Sequence, residues 1–229
     1  MDVAKGELST YREDTGGANG LFFSKDGKTL YTCEGGERRM AMLDTASGKH
    51  TVLADGYGGK KLNKPNDLWP DGKGGLYFSD PGYGLKKEDM EQDGEHVYRI
   101  DLETKKVTRA ADGFTRPNGV LGTADGKTLF IADAGAGKTY AYDIQSDGSL
   151  ANKRLFCAQG SDGLALDEHG NLYITRQHVL VFNPKGEQIA TIETPKPPSN
   201  LVFGGKDRKT LYLTARDGFY AIDMAVKGQ

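Results

Sequence analysis

Five positions in the 229-residue chain place a short, oxygen-bearing side chain directly before an apolar run. They are Asn19 before Gly20-Leu21-Phe22-Phe23, Asn66 before Asp67-Leu68-Trp69, Asn118 before Gly119-Val120-Leu121, Asp162 before Gly163-Leu164-Ala165 and Asn200 before Leu201-Val202-Phe203. Asp162 is the one acid of the five. If the five converge on one axis, they present carbonyl and carboxylate oxygens carrying a single formal charge. Hard divalent cations, Ca²⁺ above all, prefer such ligands, and with no His or Cys in the set soft metals are disfavoured. An aspartate on a metal can also act as general base toward a bound water. The plain alternative is structural: strand asparagines bond neighbouring backbone, and Asn-Gly and Asp-Gly are ordinary turn pairs.

The spacing of the five supplies the elements that would position them. Intervals of 47, 52, 44 and 38 residues separate them. Each apolar run is followed by a turn and a second run: Thr29-Leu30-Tyr31-Thr32, Gly75-Leu76-Tyr77-Phe78, Thr128-Leu129-Phe130-Ile131, Asn171-Leu172-Tyr173-Ile174 and Thr210-Leu211-Tyr212-Leu213. A third run ends in Asp or Asn, at Asp44, Asp101, Asp143, Asn183 and Asp223, and a weaker fourth closes most units. Asp26-Gly27, Asp125-Gly126 and His169-Gly170 read as hairpin turns. Four antiparallel strands in a repeat of about 40–50 residues predict an all-β fold, a β-propeller, over a single domain spanning 1–229. In a propeller the first strand of each blade is innermost, so the five residues form a ring at one mouth of the central channel.

The fifth unit has three strands, and the chain opens on an orphan run, Glu7-Leu8-Ser9-Thr10-Tyr11-Arg12-Glu13. Pairing that run with Gly218–Asp223 would supply the missing outer strand, remove two free edges and give five four-stranded blades closed by the N-terminal strand. The segment Pro81–Gly94, between the second and third strands of the second unit, is much longer than its counterparts and reads equally as a binding loop or lid and as a solvated charged loop.

Composition narrows the function classes. Thirty Lys and Arg against 32 Asp and Glu leave a net charge of -2, so nucleic acid and anionic membranes are not expected partners. No apolar run is long enough to span a bilayer and no signal peptide is visible in this chain; a soluble protein is expected, cytoplasmic or exported with its signal removed. Cys33 and Cys157 are too few and too far apart for a disulfide framework or zinc site. The four histidines occur singly and are expected to be structural, as is Trp69.

The motifs Leu62-Asn63-Lys64-Pro65-Asn66-Asp67-Leu68, Tyr77-Phe78-Ser79-Asp80-Pro81, Arg116-Pro117-Asn118-Gly119-Val120, Ser161-Asp162-Gly163-Leu164 and Pro198-Ser199-Asn200-Leu201-Val202-Phe203-Gly204-Gly205 resemble the gluconolactonase family, which includes senescence marker protein (regucalcin) and related lactonases. The resemblance runs over essentially the whole chain. It implies a propeller, six-bladed in the family, that hydrolyses sugar lactones or related small esters with one divalent cation at the channel mouth. By position it implies Asn118 and Asp162 as metal ligands, Asp162 as general base, and Asn66 as a substrate- or water-binding amide. Lys64, where many members have arginine, and Arg116 are implied substrate contacts; Asn19 and Asn200 are flanking channel positions.

One element of the family pattern is missing: the metal-binding glutamate of a Glu-Gly-Pro-like motif in the first blade. A cation, Ca²⁺ before Zn²⁺ or Mg²⁺, is therefore expected to bind weakly or not at all, and lactonase turnover is expected to be impaired. The competing expectation is a catalytically inactive five-bladed scaffold, or a truncated or engineered variant.

Overall fold

The computed structural model describes residue 7 and residues 9–229. Its strands form five antiparallel sheets arranged as propeller blades. The first blade is β1 (Ala18–Phe23), β2 (Thr29–Glu34), β3 (Arg39–Asp44) and β4 (His50–Ala54). A short hairpin, β5 (Gly56–Tyr57) and β6 (Lys60–Lys61), leads into the second blade: β7 (Leu68–Pro70), β8 (Gly75–Asp80), β9 (Glu95–Asp101) and β10 (Val107–Phe114). The third is β11 (Pro117–Gly122), β12 (Thr128–Asp133), β13 (Lys138–Ile144) and β14 (Leu150–Cys157). The fourth is β15 (Leu164–Leu166), β16 (Leu172–Thr175), β17 (Val179–Phe182) and β18 (Gln188–Ile192), and the fifth is β19 (Asn200–Gly204), β20 (Thr210–Ala215) and β21 (Gly218–Asp223). Among the described residues no helix is long and apolar enough to cross a membrane.

Burial falls from the axis outward. Every residue of β8 and β11 is buried, whereas β18 is almost wholly exposed. The predicted turns form: the glycines of Asp26-Gly27, Asp125-Gly126 and His169-Gly170 adopt φ of 70°, 66° and 77°, where a glycine avoids the strain a β-carbon would bring.

Three apolar clusters join successive blades. Cys33, Met40 and Leu53 pack on Leu68, Phe78 and Tyr98 between the first and second. Trp69, Ile131 and Leu172 belong to a cluster running from the second through the fourth. Tyr173 and Val181 pack on Phe203 and Leu213 between the fourth and fifth. Each large side chain buried this way contributes about 1.5–3 kcal/mol. Both cysteines are buried and unpaired, and Trp69 stacks on Tyr77 with centroids 6.1 Å apart.

The junction of the fifth blade with the first is different. A cavity of about 620 Å³ runs along the inner strands of all five blades and reaches this junction, lined there by Leu21 and Phe23 of β1 and Val202 of β19. These three are 55–60% exposed. Among the described residues the fifth sheet has three strands; residue 7 of the expected closing run sits in a β-bridge, residue 8 lies outside the described residues, and residues 9–14 form no strand. Arg12 Nε donates to the Asp14 carbonyl at 2.7 Å, bending the segment, and the Tyr11 hydroxyl donates to the Thr45 carbonyl at 3.4 Å, toward the first blade instead of β21. The run is polar and offers no apolar alternation to a sheet edge.

Candidate active site

The ring residues sit where the inner strands begin, and two of them sit in bulges. Pairing of β1 with β2 shifts register between Ala18 and Leu21, and pairing of β11 with β12 shifts between Pro117 and Val120. Asn19 and Asn118 occupy those irregularities, and a bulge re-aims a side chain out of the pleat. Asn66 and Asp162 precede β7 and β15. Around Asp162 side chains replace the ladder: the Ser161 hydroxyl donates to the Gly163 carbonyl at 2.6 Å, and Gly163 N–H donates to Thr175 Oγ1 at 2.9 Å. Asp162 is thereby free to turn off the sheet.

The glycines that follow three of these residues are not turn glycines. A β-carbon on Gly20 would lie 2.5 Å from the Asn66 carbonyl, one on Gly119 2.6 Å from the Asp162 carbonyl, and one on Gly163 2.3 Å from Asn200 Oδ1. Each lets one inner strand approach the next blade's ring residue.

Asn19, Asn66, Asn118 and Asp162 all line one pocket of about 510 Å³ at the channel mouth. Asn200 does not. Its pairing with Thr214 is regular, without a bulge, and its Oδ1 accepts its neighbour Leu201 N–H at 2.8 Å. It lines the deeper cavity instead. Lys64 and Arg116 also stay out of the lining. Arg116 lies over the Tyr83 ring at 5.1 Å from the centroid, and Tyr83, from the long loop 81–94, is the residue that lines the pocket.

Asn118 is 5% exposed. Its Nδ2 donates to the Tyr83 hydroxyl at 3.0 Å, while its Oδ1 is buried with no hydrogen-bond partner. Asp162 is open to solvent through the mouth, yet the walls around it strip hydration and push its carboxyl above the usual range; the Asn118 amide and, more weakly, Arg216 oppose this. An orphaned amide oxygen beside a carboxylate suits a hard cation. The donor set fits such an ion through Asn118 Oδ1 and Asp162, with Asn19 and Asn66 near enough to share the pocket.

Three further residues belong to the site and escaped the sequence reading. Asp67, below Asp162, accepts Val120 N–H at 2.9 Å, and burial raises its carboxyl to about 7, with Asp162 adding to the rise. Its signal was visible: where three ring residues are followed by glycine, Asn66 is followed by an acid. Arg176 and Arg216 line the pocket from hairpin tips of the fourth and fifth blades, positions at which single arginines in loops give no sequence signal.

The sequence pattern described as the SMP-30/Gluconolactonase/LRE-like region matches residues 34–217. A gluconolactonase of Zymomonas mobilis is 30% identical over 219 residues, covering 87% of this chain and 61% of that protein. Lactonohydrolase oryL of Aspergillus oryzae is 29% identical over 217 residues, covering 81% and 50%. The chain thus spans between half and about three fifths of the length of these curated relatives. The solved gluconolactonase of Xanthomonas campestris superposes with a TM-score of 0.79 at 29% identity, covering 93% of this chain and 72% of that one. A solved candidate gluconolactonase gives 0.89 at 31% identity, covering 98% and 80%. With its ring of oxygen donors carried on a propeller, the chain belongs to the SMP-30/gluconolactonase/LRE-like family.

Proposed function

We propose that the chain hydrolyses a sugar lactone or related ester, with a hard divalent cation, Ca²⁺ before Mg²⁺ or Zn²⁺, held by Asn118 Oδ1 and the Asp162 carboxylate. The observation that carries this reading is the buried, unpartnered Asn118 Oδ1 beside the one acid of the pocket. A buried acceptor without a donor costs about 1–3 kcal/mol, and a cation ligated there removes that cost. The relatives named gluconolactonase and lactonohydrolase supply the substrate class.

A bound cation of this type supplies polarisation of the lactone carbonyl. Asp162 takes a proton from the attacking water and returns it to the ring oxygen as the acyl–oxygen bond breaks. The Asn66 and Asn19 amides donate to and accept from substrate hydroxyls and so fix the ring. Arg116 acts through the ring of Tyr83, Lys64 from the rim, and Asn200 from the deeper cavity. Only Asp162 among the lining residues is acidic, and two arginines share the pocket with it. The glutamate that the family pattern calls for has no counterpart in the lining, so Ca²⁺ affinity is expected to be weak, on the order of 0.1–1 mM, and turnover is expected to suffer with it.

A catalytically inactive scaffold is the second reading, favoured by that single acid and by the open junction between the fifth blade and the first. Following D-glucono-1,5-lactone opening with and without Ca²⁺ separates the two. The hydrolase reading expects a Ca²⁺-dependent rate that Asp162→Asn lowers by about a hundredfold or more. Equal rates for the two proteins leave the scaffold.

A further inference from the structure

We propose that the pocket takes a lactone bearing a second, anionic group, a carboxylate or phosphate, and that Arg176 and Arg216 select for it. This rests on the lactonase reading and names the substrate class within it.

The hairpin tips joining second to third strands surround the mouth. Tyr83, Ala134, Arg176 with Gln177, and Arg216 reach the pocket from the tips of the second to fifth blades in turn. The tip of the third blade, Ala134-Gly135-Ala136-Gly137, carries no side chain larger than a methyl group, with Thr115 and Arg116 lying against Gly135. The next two tips each carry a guanidinium. The third blade's own tip therefore fills little of its arc, and the adjoining arc has positive charge.

Both guanidiniums are available. Neither forms an ion pair with a described residue, and two acids on neighbouring positions pair with other groups. Asp217, next to Arg216, pairs with Lys196, and Glu193 lies 3.9 Å from His178, two residues beyond Arg176. The lining holds two arginines against one carboxylate. A neutral sugar lactone offers the guanidiniums only uncharged hydroxyl and carbonyl oxygens as acceptors. A carboxylate or phosphate would accept paired N–H bonds from their planar forks.

Arg216 has a competing role, since its charge also favours the ionised form of Asp162. Substitutions there would then act on neutral and anionic ligands alike, which the experiment must separate.

The test is calorimetric titration of the intact chain with three stable ring-opened acids: gluconate, glucarate and 6-phosphogluconate. Glucarate and 6-phosphogluconate, each with a second anionic group, are expected to bind at least about tenfold more tightly than gluconate. Arg176→Gln and Arg216→Asn, the latter chosen because residue 216 has φ 59° and asparagine tolerates that region, are each expected to remove most of the difference. Glucarate against 6-phosphogluconate tells carboxylate from phosphate selection. Gluconate binding as tightly as both, no binding of either of these two acids at millimolar concentration, or variants that weaken all three acids alike would overturn the proposal. Lactone opening is measured separately: selective binding of the acids with a second anionic group without any turnover upholds the arginine pair and removes the hydrolase reading alone.

Discussion

The Asn118 amide donates to the Tyr83 hydroxyl at 3.0 Å, and that bond helps to fix which way its oxygen faces. Asn118 comes from an inner strand and Tyr83 from the long loop of the neighbouring blade. Tyr83→Phe removes the acceptor and lets the amide rotate. The loss of one such bond, about 1 kcal/mol, corresponds to roughly a fivefold fall in Ca²⁺ affinity and in kcat/KM. The melting temperature is expected to stay nearly unchanged, because the ring remains. Calorimetric titration with Ca²⁺ beside a thermal scan checks both; unaltered affinity would show that loop 81–94 does not orient the ligand.

Close approach of the inner strands gives a second test. Gly163→Ala would put a methyl carbon 2.3 Å from Asn200 Oδ1 and 2.7 Å from Asn200 Cα. Because the second atom is backbone, a rotamer change cannot relieve the overlap. The fourth and fifth blades must move apart, at a cost of about 1–3 kcal/mol. A urea denaturation midpoint that does not fall would mean the two strands separate freely.

The strands were legible because their period, turn residues and repeated Leu-Tyr or Leu-Phe pairs all agreed. What the sequence does not separate is two uses of the same dipeptide. Asp26-Gly27 is a turn, with the glycine at φ 70°, whereas Asn118-Gly119 is a bulge whose glycine accommodates the next strand. Asn200 matches the ring pattern in sequence but lacks the bulge, so it misses the mouth. Residues 9–13 of the expected closing run form no strand: the run is polar, and strand pairing is decided by what packs across the sheet. Arg176 and Arg216 gain meaning only once their hairpin tips are placed around the axis.

Asp80 makes the fold sensitive to pH. It is fully buried, accepts Asn63 N–H at 2.8 Å, and its other oxygen has no partner. Desolvation pushes its carboxyl up to about 7, opposed by backbone N–H groups of Asn63 and Lys64 and by Arg38, and assisted by Glu95. A raised carboxyl favours the protonated fold. Its stabilising contribution is whole below the ordinary value of 3.8 and is lost as pH rises through about 7. Asp67 acts in the same direction. Because the folded chain holds these protons more tightly than the unfolded one, the melting temperature is expected to fall between about pH 4 and pH 7, and to fall less in Asp80→Asn. Parallel curves for the two proteins would remove Asp80 as the cause.

At the far end of the channel Gln229 ties two inner strands together. Its Nε2 donates to the Gly122 carbonyl at 2.9 Å, its Oε1 accepts Ala124 N–H at 2.9 Å, and its backbone N–H donates to the Leu166 carbonyl at 3.1 Å. The third and fourth blades are thus joined at the end of the inner strands opposite Asn118 and Asp162. Strand β11 runs from Pro117 to Gly122, a separation of about 17 Å at the usual rise per residue. Gln229→Ala removes the two side-chain bonds and is expected to lower stability by about 1–2 kcal/mol. Because the change lies that far from the mouth, Ca²⁺ affinity should be the same within about twofold. Matched urea denaturation and Ca²⁺ titration separate the effects. Lost stability with intact binding places the clasp in the fold alone, whereas a parallel fall in binding would mean that the two ends of the channel are coupled through β11.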